Sequence, residues 1–366
     1  RKGSHPTWLV LSMTTFVEHS GNLLESEADA LVNTVNTVGV MGKGIALQFK
    51  NAFPANFKAY ERACKRDEVA LGKMFVFDEG QLTPPRWIIN FPTKGHWRSH
   101  SRISDVAAGL DDLREVVAKL DIHSIALPPL GCGNGGLDWG EVRPLIEQRL
   151  DGLDLTVQLY VPAGAPAAHS MAPAAKVPTM TPMRAALVSM LDQYDQLALG
   201  TSLIETQKLM YFLQEAGEDL SLHFEANLYG PYADKLRHVL KAIEGHYIEG
   251  FGDGSNKVSE AEPLVILEGA VDAATMVLDQ EPAMASRMER VLRLVEGYAS
   301  SYGLELLATV HWAATRSESS VDLADVTRQV QTWSPRKAGM FTQHHIESAW
   351  RWLQERDWLT PALTPA

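Results

Sequence analysis

One lysine, Lys94, closes the apolar run RWIINFPTK and leads straight into Gly95, His96, Trp97 and Arg98. An amine at the mouth of a partly dry cleft loses proton affinity and becomes a nucleophile or Schiff-base former; still charged, it polarises a leaving group. The plain alternative is a solvated strand end. His96, Trp97 and Arg98, with His100 and Arg102 close behind, add stacking surface and cations beside that amine. Such a mixture suits a single nucleic-acid strand or a flipped base better than a small metabolite. An exposed basic loop with Trp97 packed on its own domain is the bland counterpart.

Two glycine-rich loops could hold an anion near Lys94. The first, NTVNTVGVMGKGIA, runs from Asn33 to Ala46 and sets Asn33 and Asn36 three apart before Gly39, Gly42 and Gly44. The second is Pro128 to Leu137, PPLGCGNGGL. Glycine lets backbone N–H groups come close to a ligand, and a helix start turns its donors and dipole toward negative charge. Taken alone, either loop reads as an ordinary strand-to-helix turn. Gly131, Gly133 and Gly136 satisfy the letter of GxGxxG, but this loop opens the last helix of its domain, where a dinucleotide fingerprint belongs in the first βα turn. Gly39 to Gly44 imitates a P-loop without its four-residue gap or the Ser/Thr after lysine. Both motif readings fail on context.

The elements that must position these residues alternate. TFVEHS, ALVNTVN, KMFVFDEG, RWIINFPTK, SIALPPL and LTVQLYVP are short, apolar and β-branched, as strands are. IALQFKNAFPANFKAYERACKR, broken near Pro54, SDVAAGLDDLREVVAKL and DWGEVRPLIEQRL read as helices, with Ser104 expected to cap the second and Asp138 to form a capping box with Glu141 in the third. Leu110, Leu113, Val117 and Leu120 share one helical face. This alternation implies an α/β fold with a largely parallel sheet covered on both sides, and ligand loops at the carboxyl ends of its strands.

Composition sets the rest of the organisation. The 366 residues suffice for two cores, and no apolar run approaches a membrane span. Residues 1–13, with GSH in them, read as a tag remnant and extension rather than a secretory signal. Residues 163–182 are Ala- and Pro-rich and aperiodic, as a linker would be. They separate an α/β domain, 14–162, from a mainly helical one, 183–366, in which MRAALVSMLDQYDQLAL, IETQKLMYFLQEAG, ADKLRHVLKAIEG, MASRMERVLRLVEGYASS and HHIESAWRWLQERDWL are the expected helices and a small hairpin is allowed for. Tyr211, Tyr229, Tyr232 and Trp312 fall at spacings that favour core roles. Residues 1–162 carry 17 basic and 19 acidic side chains; 163–366 carry 16 and 26. An acidic second half is a poor binder of nucleic acid, but could dock a basic protein or simply keep the chain soluble. Two cysteines and the lack of HExxH, DxDxDG and CxxC patterns argue against a disulfide framework or a structural metal, and suit a reducing cytoplasm.

GNLLESEADALVNTVNTVGVMGKGIALQF, KMFVF, IINFPTKGHW and IALPPLGCGNGGLDWGEV together resemble the macrodomain family over residues 15–161, and within it the antitoxin-type DNA ADP-ribosyl glycohydrolases of DarT/DarG systems. QKLMYFLQEAG, LYGPYADKLRHVL, EGFGDG and YGLELLATVHWAATR extend the resemblance through the second half. It implies a three-layer αβα macrodomain with a mixed six-stranded sheet that holds ADP-ribose between the two loops, without a cofactor. Asn22 and Leu23 would meet the adenine, at a place where macrodomains usually carry aspartate, and Tyr160 would approach it. Asn33 and Asn36 would orient the distal ribose, Asn36 with Lys94 forming the catalytic pair. Gly42, Gly44, Ile45 and Ala46 on one side, and Leu130, Gly131, Cys132, Gly133, Asn134, Gly135, Gly136 and Leu137 on the other, would wrap the diphosphate. Lys94 matches the family's catalytic lysine, whereas the aspartate that related glycohydrolases carry in the second loop aligns with Gly135. The implied partners are ADP-ribose, ADP-ribosylated single-stranded DNA read by His96, Trp97 and Arg98, and a DarT-type DNA ADP-ribosyltransferase held by the second domain in a bacterial cytoplasm, with no membrane. Two rivals stay open from sequence: a binding-only reader of ADP-ribose and a dinucleotide-dependent oxidoreductase. Whether thymine or guanine carries the mark is also open.

Overall fold

A computed structural model describes residues 13–81, 83–162, 166–198, 200–256, 258, 261–316 and 322–359. The chain divides into two compact units, Arg1–Ala175 and Lys176–Ala366. The N-terminal tag remnant lies, but for its last residue, outside the described residues, as do 163–165 of the expected linker. From Ala167 that linker is not a free tether: Asn22 and Asn51 of the first unit donate side-chain hydrogen bonds to the carbonyls of Ser170 and Ala172.

The first unit contains β1 (Thr15–His19), β2 (Ala30–Asn36), α1 (Gly44–Ala52), α2 (Pro54–Cys64), β3 (Phe75–Asp78), β4 (Trp87–Lys94), α3 (Ile103–Leu120), β5 (Ser124–Leu127), α4 (Trp139–Leu150) and β6 (Thr156–Tyr160). The strands form one sheet in the order β1-β6-β5-β2-β4-β3, parallel throughout except for the β3–β4 pair. Alternation along each strand shows that both faces are covered. Ala30, Val32, Ile89, Phe91, Ile125 and Leu127 pack with α3 and α4, while the interleaved Leu31, Ile88 and Ala126 pack with Phe49 of α1. Val106, Leu110, Leu113 and Val117 of α3 are buried, each burial contributing roughly 1.5–3 kcal/mol; Leu120, at the end of that face, is half-buried. At Gly109 the helix comes so near β4 that a Cβ would stand 2.3 Å from the Phe91 ring.

Two expected caps differ. α3 starts two residues earlier than a Ser104 cap allows, with Arg102 in the cap position and no side-chain cap. Asp138 does cap α4, but its carboxylate accepts from Gly140 N at 3.0 Å, without the reciprocal bond of a capping box.

The second unit is helical: α5 (Pro182–Asp195), α6 (Leu203–Glu215), α7 (Asp234–Ile243), α8 (Ala270–Leu278), α9 (Pro282–Val295), α10 (Ser301–Thr315), α11 (Leu323–Trp333), α12 (Pro335–Met340) and α13 (Gln343–Glu355). A hairpin of β7 (Glu225–Asn227) and β8 (Gly230–Tyr232) and the short pair β9 (Ile248–Glu249) and β10 (Val265–Ile266) complete the described elements. The sequence pattern missed α8, α10, α11 and α12. α10 packs against α6 and α13 and is buried on nearly every side from Gly303 to His311, so it offers no amphipathic period to read. Of the four aromatics assigned to the core, Tyr211 is fully buried, whereas Tyr229, Tyr232 and Trp312 are half-buried.

Candidate active site

The site is built where β2 and β4 end. Their register slips by one residue between Val35 and Asn36, so Asn36 pairs with Lys94. A bulge of this kind re-aims a side chain. Asn36 then clamps the turn that follows: its Oδ1 accepts from the amides of Val38 and Val40 at 3.0 and 3.3 Å, and its Nδ2 donates to Val40 O at 2.6 Å. From α2, the buried Tyr60 hydroxyl donates to Asn36 O at 2.5 Å. Thr37 N and Oγ1 both reach Gly95 O, tying the two strand ends together beyond the sheet.

Asn33 is elsewhere. It is fully buried, and its Nδ2 donates to Asn90 Oδ1 at 3.1 Å within an amide cluster completed by Asn56. Strand alternation turns Asn33 into the layer between sheet and α2, where its Oδ1 finds no partner among the described residues, while the bulge gives Asn36 the position paired with Lys94.

Lys94 is half-buried, and burial lowers its pKa below the ordinary lysine value. Its Nζ donates to Asn134 O, in the second glycine loop, at 3.1 Å. That loop is curled by its own backbone: Cys132 N bonds Pro129 O, Gly136 N bonds Gly133 O and Leu137 N bonds Gly131 O. The amides of Gly133, Asn134 and Gly135 donate to nothing among the described residues. Across from them α1 begins at Gly44 with φ +61° and no side-chain cap on its first turn. A Cβ at Gly44 would lie 3.4 Å from Asn134 Nδ2, so the two loops meet there. Unpaired amides on one side and an uncapped helix start on the other make an anion cradle. Gly42 is exposed at its rim, Ile45 and Leu137 are half-buried, and Ala46 and Leu130 are buried beneath it. The Cys132 thiol is pushed up to about 11 by burial and by the Asp138 charge, so it stays protonated and is no nucleophile.

Gly135 has a definite reason to be glycine. A Cβ there would stand 2.3 Å from Ser101 Oγ and 2.4 Å from Gly131 O. The aspartate expected at this place in related glycohydrolases has no room, because Ser101 fills it. Ser101 N also donates to Gly135 O at 2.9 Å. Thirty-four residues separate the two, and nothing local in the sequence signals the contact.

At the far end, Leu23 and Tyr160 share one apolar cluster with Leu31 and Phe49. Both are almost wholly buried. Asn22 caps a single 3₁₀ turn: its Oδ1 accepts from Leu24 N at 3.1 Å while Nδ2 donates to Ser170 O at 2.8 Å. On the other flank, Trp97 is 45% exposed, with the His96 ring centroid 5.2 Å away and the Arg98 guanidinium 4.4 Å from its own ring. The group lies on an exposed segment, His96 to His100, with Trp97 among the exposed large apolar side chains.

A mixed six-stranded sheet between helical layers, with paired glycine loops at its carboxyl edge, defines a macrodomain, and the family model described as Macro domain matches residues 32–146. The chain is 48% identical over 342 residues to a DNA ADP-ribosyl glycohydrolase of Thermus aquaticus, covering 93% of each protein. A DNA ADP-ribosyl transferase-DNA ADP-ribosyl glycohydrolase fusion protein of Thermosipho africanus is 38% identical over 157 residues, 39% of this chain and 40% of that one. The solved macrodomain of Thermus aquaticus DarG is 56% identical over 41% of this chain and 99% of its own, with a TM-score of 0.39. The chain belongs to the DNA ADP-ribosyl glycohydrolase family of DarG proteins.

Proposed function

We propose that this protein removes ADP-ribose from a base in DNA by hydrolysing the bond between the ribose anomeric carbon and the base nitrogen. The observation that carries this reading is Lys94 itself, an amine made less basic by burial and held on Asn134 O beside the two glycine loops. As the bond breaks, the ribose gains oxocarbenium character and the base gains negative charge. The neutral amine attacks the anomeric carbon, the bonding pair leaves with the base, and the base takes up a proton. Water then cleaves the sugar–lysine bond, releasing ADP-ribose and restoring the amine. Asn36 orients the distal ribose, the amides of both loops bind the diphosphate, and Asn22, Leu23 and Tyr160 bound the adenine end. The exposed Trp97, with His96 and Arg98 beside it, stacks on the flanking single strand. Free thiols at Cys64 and Cys132 suit work in a reducing cytoplasm.

The test is Lys94→Ala. ADP-ribosylated oligonucleotides incubated with the wild type release free ADP-ribose, detected by mass spectrometry; the variant releases none, yet binds ADP-ribose by calorimetry nearly as well. Undiminished release by Lys94→Ala would sink the lysine mechanism. Binding without release by the wild type would leave a non-catalytic reader.

Residues 183–366 are assigned to a second task, holding the cognate DNA ADP-ribosyltransferase, which must itself be basic to bind DNA. The surplus of 26 acidic over 16 basic side chains after residue 162 supports this, as does a relative whose name joins both activities in one chain. Residues 176–366 are expected to retain the transferase in co-purification. No capture at low salt would count decisively against the assignment.

A further inference from the structure

The chain that follows β6 turns back to the adenine end of the cleft. Residues Ala167 to Ala172 belong to the first unit and include one 3₁₀ turn, Ala168–Ser170, in which Ser170 N and Met171 N donate to the carbonyls of Ala167 and Ala168. Two asparagines hold it down: Asn22 Nδ2 donates to Ser170 O at 2.8 Å, and Asn51 Nδ2, from α1, donates to Ala172 O at 3.1 Å. The bond at Asn22 consumes what a base would need. Asparagine reads adenine with both ends of its amide, the oxygen accepting from the base amino group and the nitrogen donating to a ring nitrogen. Here Oδ1 accepts from Leu24 N, while Nδ2 donates to Ser170 O and, at 3.3 Å, to Glu25 Oε1. The Ser170 carbonyl thus takes the place of the ring nitrogen. Leu23 and Tyr160, 3% and 8% exposed, offer a base almost no surface, and Ala168 is itself buried. The same bond explains why asparagine stands where macrodomains usually carry aspartate: a carboxylate oxygen would repel the Ser170 carbonyl, which accepts only from a donor.

We propose that residues 167–172 are an autoinhibitory strap that covers the adenine end of the cleft and is displaced when ADP-ribose binds, an inference that rests on reading this cleft as the ADP-ribose site. Strap and base compete for Asn22. The apparent affinity is then the affinity of the open form scaled by the fraction of molecules that are open. Loosening the strap at Asn51, which has no part in holding the ligand, must tighten binding.

Hydrogen exchange on the full wild-type chain tests the displacement. Saturating ADP-ribose should speed exchange across residues 167–172, because the strap loses both asparagine anchors, while the two glycine loops become better protected. A second measurement uses full-length Asn51→Ala, which removes the bond to Ala172 O. Calorimetry should show it binding ADP-ribose about two- to tenfold more tightly than the wild type, the scale of one net hydrogen bond. Slower exchange across 167–172 in the bound protein would overturn the proposal by showing a lid that closes on the ligand, and unchanged exchange would overturn it by showing a segment that takes no part. Affinity of Asn51→Ala equal to or below that of the wild type would overturn it as well. Failure of the wild type to bind ADP-ribose would instead refute the reading of the cleft.

Discussion

The chemistry at Lys94 depends on one proton. Burial favours the neutral amine, and the carbonyl of Asn134 orients it without adding an opposite charge. If the neutral form attacks the sugar, turnover must rise with pH through the lowered lysine pKa and then level off; a lysine acting as proton donor would give the opposite slope. We expect the rise, measured as kcat against pH on a defined modified oligonucleotide, and no activity in Lys94→Arg, whose guanidinium stays charged. Gly135 makes a second prediction at this scale. An alanine there must displace Ser101 or Gly131, an overpacking that costs about 1–3 kcal/mol, and the curl that presents the amides should open. Gly135→Ala should therefore lower the melting temperature and weaken ADP-ribose binding together.

Among the elements, the end of β2 does more than its length suggests. Two asparagines that look alike in sequence part here: alternation along the strand sends Asn33 into the amide cluster under the sheet, and the slip at Val35/Asn36 brings Asn36 opposite Lys94. α2 then fixes the result through Tyr60, whose hydroxyl reaches Asn36 O and whose pKa is pushed far up by burial. Tyr60→Phe leaves that carbonyl short of a donor in a dry place. A loss of about 1–3 kcal/mol in urea unfolding of the first unit is expected, with kcat falling more than ADP-ribose affinity. An unchanged kcat would show that Asn36 holds its place without Tyr60.

At the scale of the whole molecule, each unit has its own core and its own electrostatic character. The second unit buries a charged group in its middle: Glu305 accepts from Lys337 at 2.7 Å and from Arg336, while Lys208 donates to Pro231 O at 2.6 Å. Burial and the nearby Lys337 charge push Lys208 down to about 7, against the pull of Glu305. Between that value and the ordinary 10.5 the unfolded chain holds a proton that the folded one lacks, so stability from this group increases as pH rises from about 7 toward 10.5. Denaturant unfolding of residues 176–366 should show that rise, and Lys208→Met should flatten it. The proposed capture of the transferase by this acidic unit should weaken as salt is added, measured as a falling affinity.

What the sequence by itself determined follows from local rules. Period-two apolar runs separated by helical ones fix a sheet covered on both faces, and parallel strands put every strand-to-helix loop at one edge, so both glycine loops and Lys94 had to meet there. Such arguments need only neighbours in the chain. The tertiary structure decided what depends on distant ones. Asn36 comes opposite Lys94 only through a register slip against β4, and Gly135 is confined by Gly131 O and by Ser101, brought up from the segment before α3. α10 gave no helical signal because it is covered on nearly every side, and periodicity records only a difference between a wet face and a dry one.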